Sequence, residues 1–133
     1  MASIFTKIIN GDIPSYKIAE DDRYYAFLDI RPITEGHTLV VPKKEVDYLF
    51  DVEDELLGGA MVFAKKVAKA LEAVVSCKRV GVLVVGTEVP HAHIHLIPFN
   101  QEAEMSITRQ PIEMSSEAME ALAAKVSAQI GAE

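Results

Sequence analysis

Three of the chain's four histidines fall in His91-Ala92-His93-Ile94-His95-Leu96-Ile97-Pro98, each separated from the next by one apolar residue. Alternation at a period of two is a strand pattern, and it places His91, His93 and His95 on one face with Ala92, Ile94 and Leu96 on the other. One face packs while the other presents imidazoles. The fourth histidine, His37, lies in Gly36-His37-Thr38-Leu39-Val40-Val41-Pro42-Lys43, which also reads as a strand.

Imidazoles bind metals, and they also attack electrophiles and hold protons. Residues two apart on a strand are separated by about 6.5 to 7 Å, so the outer pair of the three stands ~13 Å apart. Metal–nitrogen bonds of about 2.0 to 2.1 Å would then require awkward convergence from both ends. A two-histidine metal site stays open, but it needs further ligands that the sequence does not identify. A half-exposed polar strand explains one or two histidines easily and three on one face poorly. Nucleophilic catalysis fits better. A histidine near its ordinary pKa of ~6.5 is largely neutral at pH 7, and its ring nitrogen can attack phosphorus without first losing a proton. Flanking imidazoles can donate hydrogen bonds to nonbridging oxygens and fix the tautomer of the nucleophile. The central His93 is the expected nucleophile.

The elements that must position these histidines are legible as patterns. Ser3 ahead of Ile4, Phe5, Ile8 and Ile9, with Asn10-Gly11 and Pro14 beyond, has the layout of a short capped helix. Residues 16–20 and 24–28 flank the turn-forming Asp21-Asp22 and predict a β-hairpin. Residues 37–41 predict a third strand, closed by Pro42 and two lysines. From 52 to 75, Leu57, Ala60, Met61, Ala64, Val67, Ala68, Leu71 and Val74 recur at helical spacing and predict the main helix. Gly58-Gly59 within it reads either as a site for close approach of another backbone, such as a helix of a partner subunit, or as a weak first turn. Residues 79–85 predict a strand that Gly86-Thr87-Glu88-Val89-Pro90 joins to the histidine strand as an antiparallel hairpin. Residues 99–114 show no firm period. Ser115 or Ser116 then caps a last helix with Met119, Leu122, Ala123, Val126 and Ile130 on one face. The expected fold is α+β, with a mainly antiparallel sheet of about five strands, a short N-terminal helix, a long central helix and a C-terminal helix.

Composition narrows the function classes. At 133 residues the chain fits one domain with its own core. The single cysteine, Cys77, cannot pair internally and no CxxC motif is present, which points to a reducing compartment. The amino terminus lacks the layout of a signal peptide and no apolar run approaches the length of a membrane span, so the expected location is cytoplasmic. A net charge of −7 argues against broad nucleic-acid or anionic-membrane binding, which needs clustered Lys and Arg. A small phosphorylated ligand held by local donors is compatible with it.

The stretch HAHIHLIP resembles the His-x-His-x-His-x-x signature of the histidine triad (HIT) family of nucleotidyl hydrolases and transferases. The likeness extends to Ile4-Phe5-Thr6-Lys7-Ile8-Ile9-Asn10-Gly11-Asp12-Ile13-Pro14, which is similar to the family's opening helix. It also covers Phe27-Leu28-Asp29-Ile30-Arg31-Pro32 and the strand from Gly36 to Lys43. The resemblance implies a single HIT-like domain over 1–133, with a core at 3–98 and a variable extension at 99–133 to which no site residue is assigned. It implies that His93 attacks the α-phosphorus of a nucleotide, that His95 contacts phosphate oxygens, and that His91 and His37 support the nucleophile. Asp29 would hold the ribose, since an ionised carboxylate can accept from both hydroxyls. Ile4, Phe5, Ile8, Ile30 and Leu39 would form the slot for the base, with Thr87 and Val89 also lining the nucleotide site.

One departure stands out. The family commonly carries a longer glycine-rich loop before the triad, with an Asn near its start and Gln-Ser or Gln-Thr near its end, where this chain has only residues 86–90. Thr87 could replace a hydroxyl donor, while Glu88 would repel a phosphate if turned inward. The expected activity is hydrolysis of a purine nucleoside monophosphate derivative, with a phosphoramidate such as adenosine phosphoramidate favoured, through a nucleotidyl-histidine. A dinucleoside polyphosphate hydrolase is the alternative enzyme. A nucleotide-binding regulatory protein of low turnover is the alternative of another class. No cofactor or metal is expected, and the family's habit implies a homodimer joining sheet edges and long helices.

Overall fold

A computed structural model describes residues 2–131, leaving Met1, Ala132 and Glu133 outside the described residues. Helix α1 (Ile4–Ile9) precedes strands β1 (Lys17–Glu20), β2 (Tyr24–Leu28) and β3 (Thr38–Pro42). Helix α2 (Asp54–Val74) leads to β4 (Arg79–Leu83) and β5 (Ile94–Phe99), and α3 (Ser116–Gly131) closes the chain. The five strands form one sheet in the order β1-β2-β3-β5-β4, with every neighbour antiparallel. This is the expected α+β architecture.

Local chemistry explains the starts and turns. The Ser3 side chain accepts from Thr6 N–H and caps α1. Asp21 Oδ1 accepts from the N–H groups of Arg23 and Tyr24, 2.8 Å each, and so closes the β1–β2 turn. Ser115 Oγ accepts from Ala118 N–H and begins α3.

Strand alternation divides the core between two faces of the sheet. On one face Ala26, Leu28, Val40, Ile94 and Leu96 pack against α2 and against Met119, Leu122, Ala123 and Val126 of α3. On the other, Tyr25, Phe27, Leu39 and Val41 pack with Phe5, while Ile8, Ile9 and Val89 lie alongside. The register pairs Leu39 with His95, so the histidine end of β5 belongs to the α1 face. Burial of each such apolar side chain is worth about 1.5–3 kcal/mol, which is what holds a six-residue helix to the sheet.

Two expectations are corrected. Strand β5 begins at Ile94, not at His91. His91 N–H donates to Val89 O at 2.8 Å and Ala92 N–H to Val46 O at 2.7 Å, so the backbone there is bonded outside the β-ladder and the three imidazoles do not form a row on one strand. The buried stripe of α2 is Leu56, Ala60, Phe63, Ala64, Val67, Ala70 and Leu71, whereas Met61 is 46% exposed. Phe63 sets that rotation by packing on Tyr24, with ring centroids 5.4 Å apart. Gly59 has a use within the chain: a Cβ there would overlap the Tyr24 hydroxyl, which donates to Leu56 O at 2.8 Å. Gly58 faces open space.

The two glycines therefore respond oppositely to alanine. Gly59→Ala should cost about 1–3 kcal/mol through overpacking, while Gly58→Ala should gain up to about 1 kcal/mol from helix propensity. Urea unfolding of both variants checks this, and the reverse ranking would contradict the packing.

Candidate active site

The histidines converge from two directions. His37 enters on the turn before β3, His95 projects from β5, and His91 and His93 come from the irregular segment that leads into β5. All four are buried: His91 is 0% exposed, His37 1%, and His93 and His95 7% each. Such burial penalises imidazolium. It pushes the pKa values of His37 and His93 below the ordinary histidine range, and that of His95 down to about 3, with His37 and His93 adding to the effect on His95. For His93 the burial outweighs the hydrogen bond to His91, which acts in the opposite direction. These three rings are neutral at pH 7.

Hydrogen-bond partners then fix where each neutral ring carries its single proton. His91 Nε2 lies 2.7 Å from Pro42 O, an atom that can only accept, so Nε2 is protonated and Nδ1 accepts from Ser3 Oγ at 2.8 Å. His93 Nδ1 lies 2.7 Å from His91 O, so Nδ1 donates and Nε2 keeps its lone pair. Ile33 N–H donates to His37 Nδ1 at 3.2 Å, so His37 Nε2 donates to His95 Nδ1 at 2.9 Å. His95 is left with its proton on Nε2. The arrangement offers one nucleophilic nitrogen, on His93, beside one N–H donor, on His95. The Phe5 ring stands nearly perpendicular to the His93 ring, centroids 4.9 Å apart, and further restricts it.

His93, His95 and His37 open onto a cavity of about 720 Å³. Ile4, Phe5, Asp29, Leu39, Thr87 and Val89 also line it, as the sequence reading expects. His91 is buried behind the cavity rather than lining it. Two further expected residues fall elsewhere. Ile8 packs beside Phe5 in the hydrophobic cluster under α1, and Ile30 lies past the end of β2, 74% exposed. Neither forms part of the cavity wall. Glu88 is exposed at the rim.

Other lining residues were not anticipated. Arg31 and Ile33 follow Asp29 around the same turn, and residues 107–111 close the opposite side. That last segment is tied down where Ile112 N–H donates to Pro32 O at 2.8 Å. Nothing in its own sequence announces this role, because it has no period and its anchor lies eighty positions away.

Asp29, His37 and His95 place ligand atoms within 4.8 Å of one another, a spacing that a metal ion could bridge. The protons run against it. His37 Nε2 already carries the hydrogen shared with His95 Nδ1, and moving it to Nδ1 would set an N–H against the Ile33 N–H. The carboxylate instead sits 3.6 Å from His37 Nε2 and accepts Arg31 N–H at 2.8 Å.

This sheet, with a buried histidine group opening onto a cavity between α1 and the β2–β3 turn, defines a histidine triad protein. The HIT domain pattern matches residues 10–102, and the chain belongs to the HIT family. The adenosine 5'-monophosphoramidase HNT1 of Saccharomyces cerevisiae is 42% identical over 111 residues, covering 83% of this chain and 70% of that protein. The adenosine 5'-monophosphoramidase hnt1 of Schizosaccharomyces pombe is 35% identical over 136 residues, covering 98% and 99%. Among solved structures, a Hit-like protein from Bartonella henselae superposes with a TM-score of 0.83 at 33% identity, over 96% of this chain and 95% of that one. A Zn-bound histidine triad family protein from Mycobacterium smegmatis gives 0.82 at 28% identity, over 99% and 95%.

Neutral burial has a consequence for stability. The unfolded chain binds protons on residues His37, His93 and His95 near pH 6.5 while the folded chain does not, so stability is full above that value and falls as pH is lowered toward the folded His95 value of about 3. His95 alone should remove on the order of 3 kcal/mol between pH 6.5 and 4. Urea unfolding across this range should show a shallower slope in His95→Asn than in wild type, and equal slopes would contradict the assignment.

Proposed function

We propose that the chain is a nucleotide hydrolase that forms a covalent intermediate on His93, with adenosine phosphoramidate and related purine nucleoside phosphoramidates as substrates. The observation that carries this reading is the proton arrangement at His93, where Nδ1–H is committed to His91 O and the Nε2 lone pair is left for chemistry. In the first step this lone pair bonds to the α-phosphorus, the bond from phosphorus to the leaving nitrogen breaks, and the departing amine takes up a proton from solvent. Water then attacks the phosphorus and gives up a proton to solvent, the bond to Nε2 breaks, and the nucleoside monophosphate leaves with His93 neutral again.

His95 Nε2–H is the donor for a nonbridging oxygen or the departing group. Because the cavity histidines are uncharged, they stabilise the transition state by oriented N–H groups rather than by net charge. Asp29 accepts from the ribose hydroxyls, and Ile4, Phe5 and Leu39 provide apolar wall for the base. The monophosphoramidase names of the two yeast relatives support the phosphoramidate over a dinucleoside polyphosphate. Among the described residues no helix is long and apolar enough to cross a membrane.

A homodimer completes the reading. Edge strand β4 leaves Val82 exposed, with Val84 and Val85 just beyond it, and α2 exposes Met61 and Val62. A second copy would cover this apolar edge.

The functional test is steady-state turnover of adenosine phosphoramidate and diadenosine polyphosphates. Wild type should favour the phosphoramidate, His93→Ala should lose at least about a thousandfold in kcat, and Asp29→Ala should chiefly raise KM. If wild type turns over neither compound yet binds AMP as tightly as His93→Ala does, the chain is a nucleotide-binding protein instead.

A further inference from the structure

Glu45 lies in the loop after β3 with its side chain exposed, a setting in which a carboxylate ordinarily does little. Here its Oε1 accepts from Ser3 N–H at 2.6 Å and from the Thr6 hydroxyl at 2.7 Å. Those bonds, the Ser3 N–H foremost, hold its pKa down to about 2. Both partners belong to the start of α1, some forty positions away. Thr6 also donates its backbone N–H to Ser3 Oγ at 3.1 Å. With His91 Nε2–H committed to Pro42 O, Nδ1 is the acceptor and the Ser3 hydroxyl donates to it, 2.8 Å away, while the Thr6 hydroxyl, 3.4 Å from the same nitrogen, donates to Glu45.

We propose that Glu45, Thr6 and Ser3 form a positioning relay that holds the His91 ring from its Nδ1 side, opposite the bond to Pro42 O, and thereby aims the carbonyl from which the His93 ring is held. His91 is fully buried, so no solvent can replace the Ser3 hydroxyl at Nδ1. Without that donor a buried Nδ1 lone pair is left unpaired and the ring is held only by its Nε2–H bond to Pro42 O, 2.7 Å away. The ring can then turn about that single bond, and the His91 backbone that orients His93 shifts with it. The same helix supplies Ile4 and Phe5 to the cavity wall, so Glu45 joins two functions, docking of the wall and orientation of the nucleophile. The wall belongs to substrate affinity and the position of the His91 ring to the chemical step, which makes them separable. The catalytic side of the inference rests on the phosphoramidase reading.

The test uses the full chain with Ser3→Ala, Glu45→Ala and Glu45→Gln. Side-chain nitrogen NMR reads the hydrogen bond at His91 Nδ1, and turnover of adenosine phosphoramidate reads kcat and KM. Wild type should show His91 Nδ1 unprotonated and hydrogen-bonded. Ser3→Ala and Glu45→Ala should shift the Nδ1 signal toward that of an unbonded nitrogen and lower kcat about 10- to 100-fold, beyond any rise in KM from a loosened wall. Gln at position 45 offers an amide oxygen to the same two donors and should restore the Nδ1 signal and most of kcat. Glu45 is exposed, so its variants remain informative if Ser3→Ala fails to fold. The proposal is overturned if His91 keeps its wild-type Nδ1 signal with kcat unaltered, or if the variants lose only thermal stability and raise only KM. Absence of turnover in wild type would sink the phosphoramidase reading instead, and the NMR result would still decide the relay.

Discussion

The hydrogen bond from His93 Nδ1 to the carbonyl of His91, 2.7 Å long, is the constraint on which the site depends. It decides which nitrogen of the central ring holds a lone pair and how that ring is turned. The bond is possible because residues 91–92 leave the β-ladder, so that their backbone groups serve side chains and the loop after β3 instead of a neighbouring strand. A regular strand from 91 onwards would have committed those groups to pairing.

Burial supplies the second condition. An imidazole in water near pH 6.5 is a mixture of charge states and, when neutral, of tautomers. Placed at a few per cent exposure between the sheet and α1, the same group loses its cationic form, and each acceptor-only or donor-only neighbour removes one tautomer. Pro42 O, His91 O and Ile33 N–H do this for His91, His93 and His37, and His37 passes the constraint to His95. Hydrophobic packing and proton position are therefore one problem. Phe5 contributes to both, as core between α1 and Phe27 and as a ring set edgewise against His93.

Much of this was legible in the sequence because it is periodic or local. Period-two alternation gave the strands their faces, helical spacing located all three helices, and Ser3, Asp21 and Ser115 marked their caps and turn. The family resemblance added Asp29 and His37, which the structure brings within 3.6 Å of each other. What was not legible depends on contacts distant in sequence. Alternation could not reveal that His91 and His93 stand outside the ladder, because the competing acceptors sit at Val89, Val46 and Pro42. The helical pattern of α2 admitted Met61 to the buried stripe until Tyr24 and Phe63 fixed the rotation. Residues 107–111 carry no pattern, and they form cavity wall only because Ile112 bonds to Pro32. Gly58-Gly59 read equally as a site of close approach or as a weak first turn, and the close neighbour of Gly59 within the chain is the Tyr24 hydroxyl.

The central claim is that His93 Nε2 is the nucleophilic atom. Rapid quenching of the protein with adenosine phosphoramidate, followed by mass spectrometry of its peptides and phosphorus NMR of the adduct, tests it most directly. The account predicts an adenylyl group on Nε2 of His93 that forms and decays at rates consistent with turnover. An adduct on His91 or His95, or ammonia release with no protein-bound nucleotide at any time, would contradict it.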